Sequence, residues 1–284
     1  MQKPICLITG ATDGVGRATA AELARKGFTV VLAARNAAKA EAVKAEIAAA
    51  TGNHDLDIVI GDLASLTQVR QLAEAFKLKY PRLDVLINNA GIFVPARNVT
   101  EDGLETTFQV NYLSAFLLTQ LLLAELEKSE QGRIINLSSS IYTLGKFDPR
   151  NLQGEEHFSG IGAYSASKLF MLLFSIEHAR RLRGSPITAN AVHPGVVRTP
   201  MLATASGLFR IIAYLALPFA ISPQKGAATS VHLASSPEAA AASGLYFANR
   251  RPLKVKSKFN TDEARNQLWQ LSVESLQKRG LLNV

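Results

Sequence analysis

Short apolar runs and longer segments of helical period alternate along the whole chain. The runs Ile5–Thr9, Phe28–Ala33, Leu56–Ile60, Val85–Asn88, Arg133–Leu137, Thr188–His193 and Gly244–Phe247 have the length and near-continuous hydrophobicity of strands covered on both faces. Between them, Val15–Lys26, Ala37–Ala50, Leu66–Tyr80, Leu104–Lys128, Ala163–Arg183 and Pro223–Ser235 repeat apolar positions with helical period. Gly27 and Gly52 follow two of these segments, where a left-handed residue commonly ends a helix. Strand followed by helix predicts an α/β fold with about seven parallel strands in one doubly wound sheet and helices on both faces. No Pro- or Gly-rich linker interrupts the pattern, so residues 1–284 read as one domain, with a C-terminal extension from about residue 250. The stretch Leu104–Lys128 is apolar on more than one side, which calls for the sheet plus a partner subunit, hence a homodimer, or for a fully internal helix.

Composition narrows the picture. Hydrophobic residues make up 48% and charged residues 19% of the 284, the balance of a globular protein. Cys6 is the single cysteine and lies in an apolar run, so no intrachain disulfide framework exists and a small buried strand residue is expected. The first strand begins almost at Met1 with no h-region before it, which leads to a cytoplasmic expectation. The net charge of +8 is largely scattered, and its one dense group, Arg250, Arg251, Lys254, Lys256 and Lys258, lacks a nucleic-acid motif. No nucleic-acid partner is expected.

Two groups of residues carry chemistry. Gly10, Gly14 and Gly16, with Thr12 and Val15 among them, follow a strand and open a helix, a context in which glycines let backbone approach a pyrophosphate and the helix N-terminus favours its charge. At the end of the second strand no carboxylate stands ready to grip a ribose diol. Arg35 stands there instead, and a guanidinium suits a 2′-phosphate, which favours NADP(H) over NAD(H). Asp13 in the glycine turn would oppose that phosphate. Far downstream, Tyr164 and Lys168 are four residues apart on one helix face, where the ammonium is expected to lower the phenol from its usual value near ~10.

With Asn88-Asn89-Ala90-Gly91, Asn111, Ser139 and the run Pro194–Thr199 added in order, the chain resembles the short-chain dehydrogenases/reductases over about residues 3 to 250. Within them it looks most like the retinol-dehydrogenase-like group, through Arg35, the run Arg133-Ile-Ile-Asn-Leu-Ser-Ser and Asn151-Leu152-Gln153 in a long insert before Tyr164. The resemblance implies a Rossmann-type fold and a carbonyl reductase or alcohol dehydrogenase that needs no metal. It implies Tyr164 as general acid or base, Lys168 as the group that tunes Tyr164 and holds the nicotinamide ribose, Ser139 as donor to the oxyanion and Asn111 as anchor of a proton-relaying water. Ser138 and Ser140 flank Ser139; alignment with the family pattern selects the middle one. Asp62 and Leu63 match the adenine pocket, Asn88, Ala90 and Gly91 the adenosine-ribose side, and Val197 and Thr199 the carboxamide and phosphate contacts. Asp62 also fits a turn or cap before Leu66, and His193 reads as structural.

The resemblance places a substrate lid at about residues 200–222. Its apolar composition over 206–221 implies a lipophilic aldehyde, ketone or alcohol and leaves open a core or dimer-contact helix or peripheral membrane contact aided by the basic group. Competing readings are a nucleotide-binding regulatory or scaffold protein, and a reductase of steroid or porphyrin-like substrates.

Overall fold

The computed structural model describes residues 3–197 and 220–282. Seven parallel strands and one antiparallel edge strand form a single sheet: β1 Ile5–Thr9, β2 Thr29–Ala34, β3 Leu56–Ile60, β4 Val85–Asn88, β5 Arg133–Leu137, β6 Thr188–His193, β7 Tyr246–Ala248 and β8 Arg251–Leu253, in the order β3-β2-β1-β4-β5-β6-β7-β8. The helices are α1 Gly14–Arg25, α2 Ala37–Thr51, α3 Leu66–Lys79, α4 Thr106–Phe108, α5 Ser114–Leu121, α6 Leu123–Glu127, α7 Gly160–Arg181, α8 Pro223–Ser235 and α9 Asp262–Gln277. Side chains of a strand alternate between faces. Accordingly Ile5 and Leu7 enter the core shared with α3, α5 and α7, while Cys6 and Ile8 enter the core under α1 and α8. Cys6 is fully buried, as its apolar run implied. The order of strands reverses between β1 and β4, and this switch point is where open α/β sheets bind ligands beyond the strand C-termini.

One expectation is corrected. The stretch read as one helix over Leu104–Lys128 is broken: a π-helical turn at Gln109–Leu113 separates α4 from α5, and Leu122, with φ −105°, separates α5 from α6. Its second apolar face is covered by the chain's own C-terminal helix. Trp269 of α9 meets Phe116 edge-on at 4.9 Å and the Arg181 guanidinium lies 4.3 Å from the Trp269 ring, while the buried Tyr112 and Ser272 hydroxyls are 2.7 Å apart. Thr261 caps α9 through Ala264 N–H, and Asp262 and Glu263 suit the positive end of the helix. The extension from residue 250 is therefore part of the core, with β8 at its start.

Among the described residues, no helix is long and apolar enough to cross a membrane. Thr199 and residues 200–219 of the expected lid lie outside the described residues.

Candidate active site

The glycine turn is built against the end of β4. Gly10 and Gly14 have φ of 63° and 46°, values that tolerate glycine best. Asp13 caps α1 by accepting from Gly14 N–H at 2.8 Å. A β-carbon on Gly16 would stand 2.3 Å from Gly10 O and 2.4 Å from the Asn89 amide nitrogen. That Asn89 amide donates to Thr9 O at 2.9 Å and Gly10 O at 3.2 Å, and Thr9 Oγ1 receives the N–H groups of Asn89 and Ala90 at 3.0 and 3.1 Å. Asn89 and Thr9 are thus the braces of the turn, and sequence reasoning passed over both. Strand alternation was the available signal: Asn88 ends β4 facing inward, so its neighbour faces the turn.

Asn88 itself turns its side chain the other way. Its side chain is 1% exposed and donates to Thr119 Oγ1 at 3.0 Å and Asn136 Oδ1 at 2.8 Å. Asn136 continues to Ser175 Oγ at 2.9 Å, so a buried polar ladder joins β4, β5 and α7. The side chain is spent in the interior, so a contact of Asn88 with a ribose would fall to its backbone. Ala90 and Gly91 do reach the site. A β-carbon on Gly91 would lie 3.2 Å from Lys168 Nζ and 3.5 Å from Asn111 Oδ1.

Asn111 lies in the π-helical turn, a distortion common at functional sites. Its Nδ2 donates to Ile92 O at 2.9 Å and Ser167 Oγ at 3.0 Å, and its Oδ1 accepts from Ile92 N–H at 2.7 Å. Both amide hydrogens are used; one lone pair of Oδ1 is left on the side of Gly91 and Lys168. Lys168 is 5% exposed and donates to Leu137 O at 3.0 Å, with Nζ 5.6 Å from the centre of the Tyr164 ring. Phe93 meets that ring edge-on at 6.0 Å. Phe93 forms an apolar wall beside the phenol, a further residue that sequence reasoning missed.

Burial outweighs the expected effect of the ammonium on the phenol. It pushes Tyr164 up to about 12 and Lys168 down to about 8. The phenol is therefore held protonated at neutral pH, opposite in direction to the expected activation. Lys168 has a measurable consequence. Its folded value lies below the usual 10.5, so between about pH 8 and 10.5 the unfolded chain holds more protons and stability rises with pH, by about 3 kcal/mol over the full interval. Cys6, Tyr164 and Tyr246 act in the opposite sense at alkaline pH because their values are raised. The lysine contribution is therefore the difference between wild type and Lys168→Met. Urea unfolding from pH 8 to about 9.5 should show a more positive slope for wild type by about 1–2 kcal/mol in total; parallel curves would show that Lys168 is not destabilised by burial.

The three serines separate cleanly. Ser138 Oγ donates to Lys168 O at 2.7 Å and is buried, so it ties β5 to α7. Ser140 is exposed, and its N–H donates to His193 Nδ1 at 3.2 Å. Ser139 between them is half-buried, extended, and caps the 3-10 turn Ser140–Leu144 with a long 3.5 Å contact to Ile141 N–H. Burial holds the His193 imidazole down at about 4, so it stays neutral and can accept from the serine loop. The bond fastens the end of β6 to the serine loop, directly beside Ser139.

At the other end, Arg35 is exposed immediately after β2 and makes no hydrogen bond or ion pair among the described residues. Asp13 is not the bare charge it seemed, because Lys39 Nζ donates to Asp13 Oδ2 at 2.8 Å and holds the carboxyl below its usual range. Asp62 takes the turn role, its Oδ1 accepting from Ala64 N–H at 2.9 Å, while Ser65 starts α3. Asp62 also lines a polar groove of about 280 Å³ with Gln68, Thr100 and Glu101, apart from Tyr164 and Lys168. Leu63 O accepts from Ser114 Oγ at 2.6 Å. Thr12 is half-buried, whereas Val15 is 8% exposed in the core under α1 and Val197 8% exposed where its bridge to Ile221 closes the end of β6. In the insert before α7, Gln153 Oε1 accepts from Glu105 N–H at 3.0 Å and Gln153 O from Arg97 Nε at 3.2 Å, which fastens it to the loop after β4.

This arrangement fits a nicotinamide dinucleotide. A glycine turn with backbone N–H groups at a helix start faces the switch point. A buried ammonium with one protein acceptor among the described residues stands ready for ribose hydroxyls.

The comparisons agree. The short chain dehydrogenase family model matches residues 4–207, and the chain belongs to that family, in its retinol-dehydrogenase-like group. Retinol dehydrogenase 12 of Mus musculus is 40% identical over 96% of this chain and 86% of its own length. Polyprenol dehydrogenase of Homo sapiens is 37% identical over 95% of this chain and 84% of its own. Among solved structures, an uncharacterised protein of Mycobacterium paratuberculosis superposes with TM-score 0.77 at 31% identity, over 96% of this chain and 93% of that one. A protein described as a short chain dehydrogenase of Escherichia coli CFT073, complexed with NADPH, gives 0.69 at 29% identity, over 87% and 96%. The chain is accordingly a nicotinamide-dependent oxidoreductase acting on CH–OH or C=O groups.

Proposed function

We propose that this oxidoreductase prefers NADP(H) and transfers hydride between the nicotinamide and a lipophilic aldehyde or ketone, or the corresponding alcohol. The observation that carries the chemical assignment is the pairing of the half-buried Tyr164 with the buried Lys168 beside the Ser139 loop, with the phenol held protonated. Nicotinamide supplies or accepts the hydride. In reduction, Tyr164 gives its proton to the carbonyl oxygen as negative charge develops there, and the Ser139 hydroxyl donates to the same oxygen. Lys168 would return a proton to the phenolate and be left neutral until a water reprotonates it, and Asn111 holds Ile92 and Ser167 in register with it, leaving an Oδ1 lone pair for that relaying water. In oxidation the same groups act in reverse.

A free guanidinium at Arg35, together with an Asp13 neutralised by Lys39, supports 2′-phosphate selection. The NADPH complex of the Escherichia coli relative is in keeping with it. Two relatives are named for retinol and polyprenol, both lipophilic alcohols, and the Phe93 wall beside Tyr164 suits such a substrate.

Fluorescence titration with NADPH and NADH tests the cofactor. Wild type should bind NADPH more tightly, and Arg35→Ala should lose about tenfold or more toward NADPH with little change toward NADH, the size expected for a charge-assisted hydrogen bond of about 1.5–3 kcal/mol. Equal affinities in wild type would remove Arg35 from the site. A screen of lipophilic aldehydes with the preferred cofactor then tests the substrate class.

A further inference from the structure

The dense basic group of the sequence has a specific shape and place. Arg250, Arg251, Lys254, Lys256 and Lys258 are all exposed, and none makes an ion pair among the described residues. Asn249 and Arg250, with φ of 49° and 63°, turn β7 into β8, whose three residues are exposed at the sheet edge. Beyond β8 the exposure alternates. Lys254, Lys256 and Lys258 face outward, while Val255, Ser257 and Phe259 are half-buried, and Val255 and Phe259 pack on the core. The alternation turns Lys254 and Lys256 outward together, and Lys258 follows in the turn Ser257–Asn260, where Asn260 N–H donates to Ser257 O at 3.2 Å. Protection of a sheet edge does not account for the row, because these residues lie past the last strand.

The row is attached to the catalytic loop. Lys256 N–H donates to the Tyr142 hydroxyl at 2.9 Å, and Tyr142 is buried edge-on against Tyr246 in the same 3-10 turn that Ser139 caps. Leu253, 49% exposed, directly precedes Lys254; Leu144, 60% exposed, ends the turn that holds Tyr142; Leu245, 40% exposed, precedes Tyr246; and Lys146 adds a further exposed cation. Cations interleaved with exposed leucines match the headgroup and acyl layers of an anionic bilayer. A nucleic acid would leave the leucines uncovered, and among the described residues no Phe, Tyr or Trp side chain is exposed for bases to stack on.

We propose that this rim, from Leu144 to the Arg250–Lys258 segment, docks the protein on an anionic lipid surface and sets the Ser139 loop toward the bilayer in which a lipophilic substrate is dissolved. The proposal rests on the lipophilic-substrate reading above, but its test uses neither substrate nor turnover.

The full-length protein is sedimented with phosphatidylcholine vesicles and with phosphatidylcholine vesicles containing phosphatidylserine, at low and high salt. A variant carrying Lys254→Ala, Lys256→Ala and Lys258→Ala is run beside it. The Lys256 contact to Tyr142 is made by backbone N–H and survives the change. Wild type should bind only the phosphatidylserine vesicles and release at high salt, and the variant should partition roughly 100-fold less. NADPH titration of both proteins shows that each is folded and judges the oxidoreductase reading separately. Wild-type binding that is absent, indifferent to phosphatidylserine, or unaltered in the variant overturns the proposal. So does a variant whose only loss is toward duplex DNA, which would make the row a nucleic-acid surface.

Discussion

Tyr164→Phe should lower kcat by about 10²–10⁴-fold, the range that a positioned general acid contributes, while NADPH affinity stays near the wild-type value. The substitution removes one oxygen and keeps the ring, so the edge-on packing against Phe93 and the stack of Tyr164 near Lys168 persist. What is lost is the proton. With the phenol pushed up to about 12, almost every molecule at neutral pH carries that proton, which suits reduction. Oxidation needs the phenolate and should gain steadily with alkaline pH. Stopped-flow turnover with a lipophilic aldehyde, beside a cofactor titration, separates the effects. Retained turnover would take the acid role away from Tyr164; lost cofactor binding would make its role positional.

Gly16→Ala should be nearly as damaging and by a different route. The added methyl would meet Gly10 O at 2.3 Å and the Asn89 amide at 2.4 Å, one a backbone atom and the other locked by bonds to Thr9 O and Gly10 O. Neither can move without opening the turn or pulling α1 from the end of β4. Overpacking of this kind costs about 1–3 kcal/mol, a fall in Tm of several degrees for a domain of this size. NADPH affinity should drop at least about tenfold, since the backbone N–H groups that would face the pyrophosphate shift with the turn. Thermal melts and cofactor titration read the two consequences independently. Unchanged affinity with a lowered Tm would confine Gly16 to packing.

The glycine turn and the Tyr164–Lys168 spacing were visible in the sequence because each depends on residues close together: a tight turn after a strand, and two side chains one helical turn apart. The strands were visible because both faces of the sheet are buried. Asn88 and Asn89 show the limit. Their order was plain, but which one looks into the core and which braces Gly10 depends on where β4 ends relative to β1 and β5. Among the serines, family alignment chose Ser139, and the structure adds a physical ground, the commitment of Ser138 to Lys168 O. Asp13 looked adverse until Lys39, 26 residues away, was seen to cancel it.

Local pattern by itself determined the α/β class and the parallel sheet and pointed to the glycine turn and the Tyr164–Lys168 spacing, since these follow from hydrophobic period and short-range geometry; the other site residues came from the family resemblance. Three features were decided only by the folded chain. The C-terminal helix covers an apolar face of α5, because Trp269 reaches Phe116 across more than 150 residues of chain. The phenol is raised instead of lowered, because desolvation is a property of the whole pocket and exceeds the pull of one neighbouring ammonium. The basic tail lies against the serine loop, because a single long-range bond from Lys256 to Tyr142 brings together segments that no sequence period connects.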